Sequence, residues 1–415
     1  MDGPKRIPLL EDRRILLGVC GSIAAYKAAE LASRLTQAGA VVDVLLSPSA
    51  HNFITPLTFQ SLTGRKAYSE RDLWGDQGHV LHVGLAEAAD LLVIAPATAN
   101  TIAKIASGQA DSLIPLAALA ARCPVLIAPA MDVGMYASEV TQENVEKLRA
   151  RGVIIAGPAE GRMASGLMGH GRMLEPEAII GHIRMAVGMG GPLVGRKIVV
   201  TAGGTHEPLD PVRVLANRSS GKQGYALAQA AIDRGAEVVL VSGPTSLPDP
   251  VGAHIVSIRT AADLLSATLE AVRGSSALLM AAAVADYRPA QNRAQKMKRR
   301  EGVPQLILEP TGDVLGAVVE RREKSGEPEV IVGFAAESQE LVKNAREKLR
   351  EKSLDLVVAN DITAETSGFA VDTNRVVLVD REGQTEELPL LSKTAVAEHV
   401  LKRVVQMLAD QGASS

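Results

Sequence analysis

The chain is short of several things, and each shortage removes a class of function. Only 2% of its 415 residues are Phe, Trp or Tyr, too few rings for the stacking platforms that grip single-stranded nucleic acid. The formal net charge is −3, so no basic field points to nucleic acid or an anionic membrane as a partner. No apolar run reaches the roughly 18 residues needed to cross a bilayer, and the opening MDGPKRIPLLEDRR lacks the apolar core of a secretory signal. The two cysteines, Cys20 and Cys123, have apolar neighbours and read as reduced core residues of a cytosolic protein, not as a disulfide. What the chain does have is hydrophobic content, 47% against 22% charged, and a length that favours two domains of roughly 200 residues each.

The chain begins twice. At Ile15 the run ILLGVC breaks at Gly21 into the helix-period stretch SIAAYKAAELASRL and returns as VVDVLLS. At Ile198 the run IVVTAGG opens a longer glycine-rich loop, and the helix YALAQAAIDRG leads into EVVLVSGPT. Two strand, glycine turn, helix, strand units predict two nucleotide-type lobes in one polypeptide. Short apolar runs alternating with helix-period segments predict an α/β protein of two doubly wound domains. The first is expected to be flavodoxin-like or Rossmann-like and the second Rossmann-like. Strands are expected over 15–19, 41–46, 91–95, 125–128 and 153–156, then over 198–201, 238–241, 277–281, 330–333 and 356–359. A β-hairpin turning at Gly383 and a helix over 393–407 close the chain. Glycines and a proline in MAVGMGGPLVG place the boundary near residue 190, giving domains 1–188 and 189–415.

Glycine after a strand lets backbone approach a ligand, and the helix that follows presents free N–H groups to an anion. A dinucleotide site further needs three spaced glycines and an acid at the end of the second strand. Here those strands end in Ser47-Pro48-Ser49 and Ser242-Gly243-Pro244. Hydroxyls suit a phosphate or a flavin tail better than an adenine ribose, so a nicotinamide dehydrogenase is the weaker reading.

The segments CGSIAAYKAAEL, LSPSA, GHVLHVGLAEAADLLVIAPATANTIAKIASGQAD and APAMDVGMY resemble, in order and spacing, the flavin-containing cysteine decarboxylases that act on phosphopantothenoylcysteine. The resemblance implies FMN across Gly21, Ser22, Ile23, Ser47, Thr98, Ala99, Asn100, Thr101 and Ala130, with His82 as the active-site histidine. Read without it, His82 is a residue near a helix N-terminus, and His79 is its competitor; the spacing to Asp90 and the APATAN strand selects His82. The implied chemistry is an internal redox cycle. Flavin oxidises the cysteinyl side chain to a thioaldehyde, which accepts the electrons left by departing carbon dioxide, and the reduced flavin returns a hydride. A neutral imidazole at His82 can take a proton from the substrate or orient it. Two positions depart from the family pattern. Asp132 stands where an asparagine would donate to the substrate carboxylate, so it is protonated, or contacts another group, or marks an altered site. In GRMASGLMGHGRM, similar to the family's substrate-covering flap, Ser165 aligns with the proton-donating cysteine.

The second half carries TAGGTHEPLDPVRVLANRSSGKQGYALA, AAAVADYRP, QKMK, VGFAAES and DLVVANDI, and resembles the phosphopantothenate–cysteine ligases. These join 4′-phosphopantothenate to cysteine through an acyl-cytidylate, using CTP and Mg2+. Gly203, Gly204, Ser219, Ser220 and Gly221 then form a donor-rich surface for a substrate phosphate. Asn217 would hold the activated acyl group and Arg213 would lie near the phosphopantothenate. The CTP positions fall on Met280, Ala281, Ala282, Asp286, Lys296, Thr311, Gly312, Asp313, Val314, Phe334, Lys348 and Lys352, with Lys296 also counted as catalytic. Read alone, Lys296 belongs to a solvated basic loop, and Lys348 and Lys352, four residues apart, are ordinary solvent-facing helix lysines; only the resemblance promotes them. No metal ligand is assigned. The resemblance also implies a homo-oligomer, a dodecamer combining flavin-domain trimers with ligase-domain dimers. The reading is a bifunctional enzyme that ligates and then decarboxylates. The alternative is a ligase whose first lobe persists as an FMN-binding scaffold.

Overall fold

A computed structural model describes residues 6–74, 80–298, 305–337, 340–361 and 371–414. The chain divides into two compact units, Met1–Gly188 and Met189–Ser415.

In the first unit, strands β1 (Arg14–Val19), β2 (Val41–Leu46), β3 (Ala67–Tyr68), β4 (Leu91–Ala97), β5 (Val125–Pro129) and β6 (Ile154–Ile155) form one sheet in the order β3-β2-β1-β4-β5-β6. Every pairing is parallel. A parallel sheet is covered on both faces, which is why β4 reads as the unbroken apolar run LLVIAPA, buried throughout. One face is packed by the helix Ala25–Gln37, whose Ala28, Leu31, Ala32 and Leu35 are fully buried at helical spacing, together with Ile179, Ile183 and Ala186 of the helix Pro176–Gly188. The other face takes Ile102 and Ala106, then Leu113, Ile114 and Ala117, then Val145 and Leu148, from three further helices. An antiparallel ribbon of β7 (Ala159–Arg162) and β8 (Met168–Arg172) lies outside the sheet.

The second unit repeats the plan. Its central strands are β9 (Lys197–Ala202), β12 (Glu237–Ser242), β13 (Ala253–Ser257), β14 (Ala277–Met280), β17 (Val330–Glu337) and β18 (Leu356–Asp361), in the order β13-β12-β9-β14-β17-β18. Numbered from one within each unit, both sheets read 3-2-1-4-5-6, the doubly wound order whose ligand crevice opens where the winding reverses. β20 (Val376–Asp380) and β21 (Thr385–Glu387) extend this sheet antiparallel, with Gly383 at φ +80 in their turn. Three small ribbons stand apart: β10 (His206–Pro208) with β11 (Val214–Ala216), β15 (Tyr287–Pro289) with β16 (Leu308–Pro310), and β19 (Thr373–Asn374) with β22 (Leu391–Ser392).

The expected strands are present with bounds shifted by a few residues, the largest change being β17, which runs four residues past Gly333 to Glu337. Two strands of the main sheets, and the four small ribbons, were not expected. β3 is two residues long, and β13 is a half-buried edge whose sequence AHIVS has little apolar alternation to reveal it. The last helix continues past Met407 to Ser414, because no glycine or proline intervenes before Gly412. Among the described residues no helix is long and apolar enough to cross a membrane.

Candidate active sites

In the first unit the reversal lies between β1 and β4, and the residues expected to hold a flavin stand on the loops leaving the carboxyl ends of β1, β2, β4 and β5. A Cβ on Gly21 would lie 2.5 Å from Ser49 Oγ, so the turns after β1 and β2 close together only because residue 21 is glycine. Ser22 Oγ accepts from Ala24 N–H, Ile23 is 65% exposed, and Ser47 Oγ lies 3.3 Å from Ser49 Oγ. Thr98 caps the helix Ala99–Ser107, its Oγ1 accepting from Thr101 N–H at 3.4 Å. Ala99 and Asn100 open that helix, where unpaired N–H groups collect. Thr101 Oγ1 sits 3.2 Å from both Thr98 Oγ1 and Cys20 Sγ, tying β4 to β1, and Ala130 N–H donates to Ala97 O at 2.9 Å. Burial pushes the Cys20 thiol up, against hydrogen bonds from Thr101 and Thr98, so it serves as packing.

His82 is the second residue of the helix Leu81–Ala88. Its Nδ1 is buried and has no hydrogen-bond partner among the described residues, a costly state that a bound substrate or cofactor would relieve. Its neighbour Leu81 packs in the cluster containing Cys20 and Ile102. The competitor, His79, lies outside the described residues.

The two departures from the family pattern meet. Ser165 Oγ donates to Asp132 Oδ2 at 2.5 Å, and Asp132 Oδ1 accepts from Gly134 N–H at 3.2 Å. The Ser165 hydroxyl first, and the Gly134 amide second, hold the Asp132 carboxyl below the usual carboxylate range. Of the three states left open for Asp132, contact with another group is the one the structure shows. The ribbon seats closely here: Met131 N–H donates to Gly171 O, and a Cβ on Gly171 would lie 2.4 Å from Met131 O.

In the second unit a cavity of about 570 Å³ opens at the reversal between β9 and β14. The loop that leaves β9 is tied together by short contacts. Gly203, at φ +78, accepts from Ala283 N–H through its carbonyl at 2.8 Å, and Gly204 bridges to Ala283. A Cβ on Gly243 would lie 2.4 Å from Gly204 O. Thr201 Oγ1 accepts from Ala282 N–H and Thr205 Oγ1 from Ala285 N–H, which fixes the run 280–285 against β9. Asn217, Ser219, Ser220, Gly221, Met280, Ala281, Ala282, Asp286, Thr311, Gly312, Asp313, Val314, Phe334, Lys348 and Lys352 all line it.

Asn217 Nδ2 donates to Val284 O at 2.8 Å and Thr311 Oγ1 to Ala285 O at 2.7 Å. Lys348 Nζ donates to Phe334 O at 2.7 Å, and Lys352 Nζ pairs with Asp313 Oδ2 at 2.5 Å. Asp313 also caps the helix Val314–Ser325 through Gly316 N–H. Burial works to raise its pKa, but Lys352, the Gly316 amide and Lys348 outweigh it and the carboxyl is lowered. Four expected residues are not among those lining the cavity: Gly203 and Gly204, in the loop just described, and Arg213 and Lys296. Arg213 donates to Asp210 Oδ2 and Met297 O, and Lys296 is exposed outside the cavity lining. Asp210 is lowered although its burial opposes this, because the amides of Val212, Met297 and Arg213 converge on it. The sequence reading missed Lys222, Gln223, Asn360, Asn374 and Lys393, which also line the cavity.

The Flavoprotein family matches residues 8–188, and the family described as DNA/pantothenate metabolism flavoprotein, C-terminal domain, matches residues 193–408. The Coenzyme A biosynthesis bifunctional protein CoaBC of Bacillus subtilis is 42% identical over 410 residues, spanning 98% of this chain and 100% of that protein. The chain belongs to the family of coenzyme A biosynthesis bifunctional proteins. Its namesake in Mycobacterium tuberculosis is 42% identical over 417 residues, 98% of each chain. A crystal structure of the C-terminal domain of a coenzyme A biosynthesis bifunctional protein is 38% identical, covering 53% of this chain and 99% of that one, with a TM-score of 0.45. Both halves of the bifunctional family are thus represented in this chain, each with its own doubly wound sheet.

Proposed function

We infer that the chain is a bifunctional enzyme of coenzyme A biosynthesis, with a ligase in its second unit and a flavoprotein decarboxylase in its first. The ligase joins cysteine to 4′-phosphopantothenate, and the decarboxylase converts the product to 4′-phosphopantetheine. The observation that carries the reading is the second unit's cavity, where Asn217, Asp286, Asp313, Lys348 and Lys352 face one space at the sheet's reversal.

CTP is the proposed co-substrate. Lys348 and Lys352 supply charge that steadies a leaving pyrophosphate, and the Asn217 amide lies where it can hold an activated acyl carbonyl. Mg2+ is proposed to arrive with the nucleotide. Among the described residues no group of three or more His, Cys, Asp or Glu side chains is placed to hold a metal, and Mg2+ is commonly held by one or two carboxylates together with substrate phosphates. Asp286 and Asp313 are the carboxylates facing the cavity.

FMN is the proposed cofactor of the first unit. The close approach at Gly21, the capped helix start at Thr98 and the unpartnered Nδ1 of His82 fit a flavin carrying a phosphate tail. When bound it supplies reversible two-electron oxidation. His82 orients the substrate or takes its proton, and the segment around Ser165 covers it. Homo-oligomer formation is proposed as well, supported by the exposure of Ile23, Tyr26, Phe53 and Leu57 on the first unit.

The test is incubation with 4′-phosphopantothenate, cysteine, Mg2+ and either CTP or ATP, with products identified by mass. Phosphopantetheine formed with CTP supports both activities. Phosphopantothenoylcysteine accumulating without carbon dioxide release leaves only the ligase, and no product with either nucleotide overturns the reading.

A further inference from the structure

The first unit has a cavity of about 480 Å³ that neither proposed activity uses. It opens at the amino ends of β5 and β6, where Val125 and Val153 line it, while the loops expected to hold a flavin leave the carboxyl ends. The helices Ala99–Ser107, Leu113–Ala120 and Glu139–Ala150 all end around it. Its size lies within the range of small-molecule sites, about 300–1,000 Å³. One part of its lining is apolar, built from Ile105, Pro115, Leu119, Val125 and Leu148. Leu119 is 67% exposed, so apolar surface stays in water here, and a ligand that covered it would gain by doing so.

The charge around it is of one sign. Among its described lining residues the charged side chains are Arg122 and Arg151. Converging helix ends favour a cation where their last carbonyls stand unpaired, but at two of these ends the carbonyls are taken. Gln109 N–H donates to Lys104 O at 2.8 Å, Gly108 N–H to Ile105 O at 3.2 Å and Arg151 Nη1 to Ala106 O at 2.9 Å. At the other end Gly152 N–H donates to Arg149 O at 2.9 Å and Val153 N–H to Leu148 O at 3.1 Å. Carboxylates close by in the chain are engaged as well: Asp111 pairs with Lys104 at 2.8 Å and Asp90 with Arg13 at 3.0 Å. Glu87 pairs with Arg122 at 2.9 Å, but the Arg122 side chain is 81% exposed, so water screens the pair and an entering anion can replace it.

We propose that this cavity binds a small amphipathic anion, with an aliphatic chain along Ile105, Leu119 and Leu148 and a carboxylate or phosphate monoester head at Arg122 and Arg151. The two guanidinium groups supply the planar, charged donors that such heads pair with, and the apolar lining supplies the remainder of the contact. The protein also carries its own reporter. Cys123 lines the cavity and is half-buried, whereas Cys20, the other cysteine of the chain, is 1% exposed. Burial first, with Asp90 adding to it against two backbone hydrogen bonds, pushes the Cys123 thiol up, so its labelling is followed at alkaline pH.

The experiment is alkylation of Cys123 in the full chain by a small maleimide, followed by intact mass, with octanoate, octyl phosphate, octylammonium or acetate present below any micelle-forming concentration. Octanoate or octyl phosphate should slow the labelling about tenfold or more at saturation, and the one that protects at the lower concentration identifies the head group. Acetate, which has no chain, and octylammonium, which has the wrong charge, should leave the rate unchanged. Arg151→Gln should raise the half-protecting concentration of the anion about tenfold, the cost of one charge-assisted contact. Because Arg151 also donates to Ala106 O, Arg122→Gln and Leu119→Ser, which alter exposed side chains, are run beside it and should weaken protection in the same direction. Protection by octylammonium equal to that by the anions, protection that none of the three variants changes, or no protection by either anion overturns the proposal. So does a Cys123 that fails to react in the unliganded protein, since the cavity is then closed in solution. Neither proposed enzymatic activity is touched by any of these outcomes.

Discussion

Ser165 Oγ and Asp132 Oδ2 are 2.5 Å apart, so the two positions at which the first unit departs from its family's pattern form one contact. The pair has a direct consequence for pH. The carboxyl lies below its ordinary range because of the Ser165 hydroxyl and the Gly134 amide. The tie is therefore fully present above that range and is lost as the pH falls through the lowered value. Ser165→Ala should move the Asp132 carboxyl up toward its ordinary value, read by carbon NMR titration of the labelled side chain. It should also speed proteolysis or hydrogen exchange in residues 163–168, which the contact tethers to residue 132. An Asp132 titration unmoved by the substitution would show that the hydroxyl does not hold the carboxylate in solution.

His82→Asn should abolish carbon dioxide release from 4′-phosphopantothenoylcysteine while leaving bound flavin and ligase activity in place. The reason is positional. Among the described residues His82 Nδ1 is buried without a partner, so no described contact depends on its hydrogen bond, whereas acid–base catalysis by a positioned side chain contributes about 10²–10⁴-fold. Carbon dioxide trapping and the flavin absorbance, measured on the same sample, separate a chemical defect from loss of the cofactor. Unchanged turnover would remove His82 from the mechanism.

Much of this architecture is legible in the sequence because parallel strands buried on both faces are written as apolar runs, as in β2 and β4, between helices with helical spacing such as Ala28, Leu31, Ala32 and Leu35. The strand β13 is not, since an edge strand needs no continuous apolar face and AHIVS is only half-buried. That Lys393 lines the cavity is hidden for a different reason. Lys393 reads as an ordinary lysine at a helix start, and it reaches the cavity wall because Thr373 pairs with Ser392 and Asn374 with Leu391. Likewise Asp132 and Ser165, 33 residues apart, meet only once β7 and β8 fold back over Met131. Local periodicity carries no information about either closure.

In the ligase cavity, Asn217→Asp should let the acyl-cytidylate form and then stall. The side-chain amide now donates to Val284 O at 2.8 Å; a carboxylate there has no proton to donate and would instead face a carbonyl oxygen. Loss of the donor to a carbonyl that gains charge during attack costs roughly 10²–10³ in rate at comparable sites. Rapid quench with mass detection should find the cytidylate accumulating when cysteine is supplied. Full ligation by the variant would reject the assignment.

Two glycines in helices give opposite predictions from one substitution. Alanine is favoured over glycine inside a helix by about 0.5–1 kcal/mol. At Gly84 an added Cβ meets nothing within 4 Å, so Gly84→Ala should stabilise the first unit by about that amount. At Gly224 the same Cβ would lie 2.5 Å from Ala202 Cβ and 2.9 Å from both Ala202 Cα and Thr201 O. Two of those atoms are backbone of the central strand β9 and cannot rotate aside, so overpacking, typically about 1–3 kcal/mol, outweighs the helix preference. Gly224→Ala should therefore lower the melting temperature of the second unit. Because it displaces the first turn of the helix Lys222–Ile232, it should also weaken whatever that turn binds. Thermal unfolding followed together with ligand affinity checks both effects, and a Gly224→Ala protein as stable as the unaltered chain would mean that the helix can move off β9 at little cost.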